Sequence, residues 1–234
     1  MTDASVLPGK SASKSASKSA GREVFDIDCR ACPRLATFLD DVKAEHPDYH
    51  CRPVPPFGDP AASFLVVGLA PGMHGANATG RPFTGDFAGI LLYETLHRRG
   101  FATKPQSVST DDGLQLLDCR ITNAVKCLPP QNKPVGSEIN ECNHYLAAEL
   151  ELLEPGSVVM ALGKIAHDAV LKASGLKLSA AKFAHAAEHR IRHFTLVDSY
   201  HCSRYNTNTK RLTEEMFDGV VARAKELVRL KAKG

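Results

Sequence analysis

The sequence predicts an α/β protein, a three-layer α/β/α arrangement around a central four-stranded parallel sheet. Three observations carry that expectation. Four short apolar runs are bounded by turn residues, as buried parallel strands are. Stretches of helical length lie between them. Strand and helix therefore alternate along the chain, the order that builds a parallel sheet with helices on both faces.

The first predicted strand is Phe64-Leu65-Val66-Val67-Gly68-Leu69, ended by a Pro- and Gly-rich loop. The helix after it runs over 86–99 and is closed by Gly100. Ile121-Thr122-Asn123-Ala124-Val125 is the second strand. Ser137 is placed to cap a helix that runs to about Leu153 and stops at Pro155-Gly156. Ser157 to Leu162 is the third strand, and a helix follows over 163–173. Phe194-Thr195-Leu196-Val197 is the fourth. Thr213 caps a last helix that gathers Met216, Phe217, Val220, Val221, Ala224, Leu227 and Val228 on one face. Glu214 and Glu215 open that helix and Lys225, Arg229 and Lys231 close it, in the sense the helix dipole favours.

Residues 1–22 stand apart. Their Ser-Ala-Ser-Lys repeat has almost no apolar content and cannot offset the entropy of ordering, so the segment is expected to be a disordered tail. Lys10, Lys14, Lys18 and Arg22 against Asp3 make it basic, suited to weak non-specific DNA contact or to plain solvation. Residues 23–234 are expected to form one domain around one core. The composition of the whole chain is that of an ordinary soluble protein, 43% hydrophobic and 24% charged, and its net charge of +3 does not by itself indicate a nucleic-acid partner. No apolar run approaches the ~18–20 residues needed to span a bilayer, and no secretory signal is visible, so no membrane partner is expected and the location is expected to be the cytoplasm.

Seven cysteines without a secretory signal argue for a reducing compartment and for metal ligation over disulfides. Four of them, Cys29, Cys32, Cys127 and Cys142, are spaced as a close pair, a long gap and a wide pair. Four thiolates suit either a [4Fe-4S] cluster or zinc. Cys51, Cys119 and Cys202 are left over, and buried free thiols are the plain reading for at least two of them.

In a parallel sheet, ligands bind beyond the carboxyl ends of the strands. That rule selects the loop 68–86, with five glycines in nineteen residues, which fits neither a dinucleotide fingerprint nor a P-loop. Within it, Phe83 is either core or a stacking platform for a base, and Arg81 is either solvated or a phosphate contact. Asp86 is the N-cap of the following helix, a pocket carboxylate, or both. Asn123 ends the second strand, where an amide needs a partner and could read the N3–H and O4 of a uracil. The loop 199–209 holds His201 followed by Ser203, Arg204 and Asn206, a segment able to grip phosphates.

Together these residues resemble the uracil-DNA glycosylase superfamily, specifically family 5, over roughly residues 24–230. Gly68-Leu69-Ala70-Pro71-Gly72 with His74-Gly75-Ala76-Asn77 and Thr79-Gly80-Arg81-Pro82-Phe83-Thr84-Gly85-Asp86 is similar to that family's first motif. The segment 122–130 looks like one shared with family 4, and 201–207 resembles the closing H-P-S motif. Leu69 and Thr84 depart from the family 4 pattern, which favours family 5. Cys202 stands where a proline is usual, which should loosen the closing loop, and Ala78 where an arginine is common.

The resemblance implies a [4Fe-4S] cluster on Cys29, Cys32, Cys127 and Cys142, and a monomer acting on DNA that carries deaminated bases. It implies cleavage of the N-glycosidic bond of uracil, and of hypoxanthine or xanthine. Phe83 would stack on an extruded base, Ala70 and Gly72 would hold it by their backbone, and Asn123 would orient its edge. His201 would stabilise the departing base anion, and Asp86 the sugar cation or the attacking water. Asn77, Arg81, Ser203, Arg204 and Asn206 would contact DNA. Arg204 and Tyr205 would either fill the gap left by the base or pack on the surface. A uracil-restricted family 4-like enzyme and a non-catalytic iron–sulfur nucleic-acid-binding protein are the rival readings.

Overall fold

The computed structural model describes residues 25–231, so the basic segment at 1–22 lies outside the described residues. The strands are β1 (Phe57–Gly58), β2 (Phe64–Gly68), β3 (Cys119–Asn123), β4 (Ser157–Leu162), β5 (Glu188–Ile191) and β6 (Phe194–Ser199). The α-helices are α1 (Pro33–Glu45), α2 (Ala76–Thr79), α3 (Phe87–Arg98), α4 (Gly136–Glu151), α5 (Lys164–Ala173), α6 (Arg204–Asn208) and α7 (Glu214–Lys231).

The strands form one sheet in the order β1-β3-β2-β4-β6-β5. Its four inner strands are parallel, as the apolar runs predict. The sheet is larger than four strands, because β1 and β5 add an antiparallel strand at each edge. Neither edge strand is legible as an apolar run. β1 is two residues long, and β5 reads Glu-His-Arg-Ile, a charged composition that protects an edge from further pairing.

Alternation along the strands assigns the two faces. Phe64, Val66, Ile121, Val158, Met160 and Val197 pack with α3 and α7, while Leu65, Val67, Val159, Ala161 and Leu196 pack with α4 and α5. Helix α1 sits outside this sandwich, where Leu39 and Val42 meet Cys51 and Leu128. Its signal was in the sequence: Pro33 at the first turn, then Leu35, Ala36, Leu39 and Val42 at helical spacing, all buried.

Two boundaries differ from the sequence expectation. β3 begins at Cys119, two residues early, because Arg120 is carried inside a strand with its guanidinium donating to the Gly58 carbonyl at 2.5 Å. Helix α4 begins at Gly136, so Ser137 is no cap. Glu138 closes the turn instead, accepting from the Val135 N–H at 2.8 Å while pairing with Arg34 of α1 at 2.7 Å. Thr213 does cap α7, accepting from the Met216 N–H at 3.2 Å.

Candidate active site

The carboxyl ends of β2 and β3 and the loop after β6 surround one cleft of about 410 Å³, in the range of small-ligand sites. Leu69, Ala70, Gly72, Phe83, Asp86, Asn123, His201, Ser203 and Arg204 line it. The sequence reading missed Phe87, Ala88 and Asn132, which also line it. Asn132 had no signal of its own: it enters because Gln131 and Asn132 both take left-handed backbone after Pro130.

The loop 68–86 folds so that its glycines clear space for its functional side chains. A Cβ on Gly75 would overlap the Asp86 carboxylate, and one on Gly68 would overlap the Asn123 amide and the Phe83 ring. Asp86 occupies the N-cap position of α3 yet makes no side-chain bond to that helix. Its Oδ2 accepts from the Ala76 N–H at 3.2 Å, across the loop. Burial, opposed only by that bond, raises its pKa above the ordinary carboxylate value.

Phe83 has φ of 57°, a left-handed backbone that L residues adopt rarely and that is found where a site fixes a side chain. Tyr93 holds the turn by donating to the Pro82 carbonyl at 2.7 Å. The Phe83 ring lies 6.1 Å from the His201 ring at 30°. Asn123 is 2% exposed, and its buried Oδ1 has no partner within the protein. The expectation that this amide would otherwise bond nearby backbone is not met at that oxygen.

His201 is similar. Burial pulls its pKa down to about 4, so it is a neutral imidazole at physiological pH. Its Nδ1 is buried and unpaired, which leaves Nε2 as the nitrogen open to the cleft. The loop that carries it is tied down at two points: the Cys202 side chain is fully buried in the core, and Asn206 donates to the His201 carbonyl at 2.8 Å. Asn206 thus supports the loop from behind. Ser203 caps α6, and Arg204 lies 4.8 Å over the Phe87 ring at the rim.

Two expectations of DNA contact are corrected. Arg81 is 5% exposed, paired with Asp112 at 2.6 Å and bonded to Thr84 at 2.8 Å and Ser107 at 2.6 Å. Asn77 is fully buried, with Nδ2 donating toward Cys51 Sγ at 3.4 Å. Neither reaches a surface that DNA could touch. Burial would raise the Asp112 pKa, but Arg81 and the N–H groups of Leu114, Val108 and Ser109 outweigh it and hold the carboxyl well below its usual range.

A second cleft is lined by all four cysteines of the predicted ligand set, with Lys126 and Tyr145. Cys29 and Cys32 lead into α1, Cys127 follows β3 and Cys142 lies on α4. Burial first, and then the neighbouring cysteines, push the Cys127 thiol up to about 12; burial, Cys142 and Glu138 push Cys32 up to about 11. Four thiolates there need cationic charge between them. The Lys126 N–H already donates to Cys142 Sγ at 3.3 Å, a bond of the kind that supports a ligating sulfur. No three of these sulfurs lie within 4.8 Å of one another, whereas tetrahedral zinc would draw them to roughly 3.8 Å. Four cysteine sulfurs around one cleft are a donor set that fits a metal centre. Cys51 and Cys119 are buried free thiols, as is Cys202.

Comparison with known proteins follows the same lines. The family model described as "Uracil DNA glycosylase superfamily" matches residues 55–225. A type-5 uracil-DNA glycosylase of Thermus thermophilus is 47% identical over 210 residues, covering 86% of this chain and 94% of that protein. One of Pyrobaculum aerophilum is 44% identical over 202 residues, covering 85% and 88%. A type-4 uracil-DNA glycosylase of Thermotoga maritima is 36% identical over 139 residues, covering 59% and 58%.

Proposed function

The chain belongs to the uracil-DNA glycosylase superfamily, and from that premise we propose that it is a type-5-like DNA-repair enzyme. It hydrolyses the N-glycosidic bond of uracil in DNA and leaves an abasic site. The observation that carries this reading is the convergence of Phe83, Asn123, Asp86 and His201 on one cleft.

The glycosidic bond is hidden in a duplex, so the nucleotide must leave the stack. Phe83, fixed by its left-handed backbone, stacks on the extruded base. Asn123 supplies the unpaired acceptor that a base N–H requires, and its amide N–H₂ meets the adjacent carbonyl. As the bond to C1′ breaks, its electron pair leaves with the base. The Nε2 of neutral His201, protonated in that tautomer, donates to the base anion, and Asp86 faces the positive sugar. Water adds to C1′, and the proton it loses passes, through solvent, to the departed base anion, which leaves as the neutral base.

The same amide bears on substrate range. Uracil, hypoxanthine and xanthine share an N–H beside a carbonyl on the edge that Asn123 reads, which cytosine and adenine lack; thymine and guanine share it too, so the amide admits deaminated bases without being what excludes those two. The small side chains of Ala70 and Ala88, with Gly72, leave room for a purine. We propose on this basis that the enzyme accepts several deaminated bases, and separately that it acts as a monomer. Cys29, Cys32, Cys127 and Cys142 would hold a [4Fe-4S] cluster that cross-braces α1, the loop after β3 and α4. Hydrolysis moves no electrons, so the brace is structural.

The test is incubation of duplexes carrying uracil, hypoxanthine or xanthine, followed by alkali to cut abasic sites. Cleavage of uracil duplex alone would restrict the range. Binding without release of free base would refute catalysis. A colourless protein with no iron would refute the cluster.

A further inference from the structure

A third set of convergent donors lies on the α5 side of the sheet, away from both clefts. It comprises His167 of α5, His189 of β5 and Asp198 of β6. His167 Nδ1 is 2.7 Å from Asp198 Oδ1, and His189 Nε2 is 3.1 Å from Asp198 Oδ2. One donor atom from each residue lies within 4.8 Å of the other two, and no other group of three among the described residues does so.

Four features distinguish this set from an ordinary buried ion pair. Asp198 and His167 are both fully buried. His167 Nε2 faces the Ala181 carbonyl at 3.1 Å, which fixes the proton on Nε2 and aims Nδ1 at the carboxylate. Metal-bound histidines are oriented in this way by an outer carbonyl. One imidazolium would balance one carboxylate, so the second imidazole has no charge left to balance, whereas a metal uses both. His189 sits on the edge strand with its side chain 18% exposed, which gives a route in and a position for water.

We propose that His167 Nδ1, His189 Nε2 and Asp198 bind a zinc ion separate from the four-cysteine centre, with water as its fourth ligand. Two imidazoles and a carboxylate are a donor set that suits zinc. The ion would fasten the 181–189 segment to β6, three residues before His201. That segment already pairs with Asp198 through backbone bonds at 2.8 and 2.9 Å.

The test uses the full-length, iron-loaded chain, equilibrated with zinc chloride and then passed over a chelating resin. Zinc and iron are counted by mass spectrometry, and zinc K-edge absorption reads the ligands. The expected result is one zinc per chain beyond the iron, with nitrogen and oxygen scatterers at about 2.0–2.1 Å. His189→Ala, which spares the His167–Asp198 pair, should lose the zinc, keep the iron and no longer gain thermal stability from added zinc. No retained zinc, zinc retained by His189→Ala, or sulfur scatterers at about 2.3 Å would each overturn the site. The absorption spectrum is read on the unaltered protein, so an unfolded variant cannot shield the proposal. Without zinc, the three side chains are a hydrogen-bonded clamp.

Discussion

Asp86 and Asp112 belong to segments that meet behind the same cleft, and their surroundings are opposite. Asp112 accepts from the Arg81 guanidinium and from the N–H groups of Val108 and Leu114 at 2.9 Å each. Asp86 has a single long bond, from Ala76. The carboxyl pKa accordingly moves down at Asp112 and up at Asp86. The same contrast runs through the neighbourhood. Arg81, Thr84 and Ser107 bond one another, while Asn123 Oδ1 and His201 Nδ1 are left without partners. A site that must stabilise charge during a reaction keeps polar groups in reserve, and the scaffold beside it saturates its own.

The strongest way to break this comparison is to remove the reserved groups. His201→Ala and Asp86→Asn should each slow single-turnover release of uracil by about 10²–10³-fold, as loss of a group aimed at transition-state charge does. Near-normal rates in both would end the mechanistic reading. Asp86→Asn should nevertheless unfold at the same or a higher temperature, since it removes a poorly paired charge. Asp112→Asn should do the reverse. It strands Arg81 at 5% exposure and should cost about 3 kcal/mol in denaturant unfolding, while the unaltered cleft residues keep their chemistry.

pH sharpens the same contrast. The Asp86 pKa is higher folded than unfolded, so its ionisation costs stability as pH rises from the ordinary value of 3.8 through the folded value. The gain from Asp86→Asn should therefore be greatest at neutral pH and vanish below 3.8. The Asp112 pKa is lower folded than unfolded, so its contribution is present above 3.8 and is lost as pH falls through the folded value. The penalty of Asp112→Asn should be full at neutral pH and shrink only below 3.8. Unfolding curves from pH 7 to pH 3 would separate the two. The cleavage rate should also fall in acid as Asp86 protonates, with His201 neutral down to about 4.

Smaller effects are expected at the rim. Tyr205 is 71% exposed beside the cleft, and Tyr205→Ala should weaken binding of uracil duplex by about 1 kcal/mol, roughly fivefold, if its ring replaces the lost base stack. Arg81→Gln, which removes the charge, should leave the salt dependence of DNA binding unchanged, because a buried guanidinium neutralises no phosphate. A shallower slope would restore Arg81 as a DNA contact.

The four inner strands and the helices that separate them were legible because each buries a face with its own apolar pattern. The charged β5 and the two-residue β1 were not, since an edge strand is defined by its neighbour and carries no pattern of its own. At the site, the loops at the carboxyl ends of the strands singled out Asp86, Asn123 and His201, each an unusual residue where the chain turns. The same loop misled at Arg81 and Asn77, whose types suit DNA but whose side chains point inward.

The sequence by itself determined the alternating α/β order, the four spaced cysteines and the residue types that gather at the cleft, because these depend on local pattern and on chemistry carried by each residue. Only the tertiary structure decided which polar groups are satisfied. Whether Arg81 meets Asp112 or a phosphate, and whether His167, His189 and Asp198 come together at all, depends on contacts between segments distant in the chain, and no local pattern encodes them.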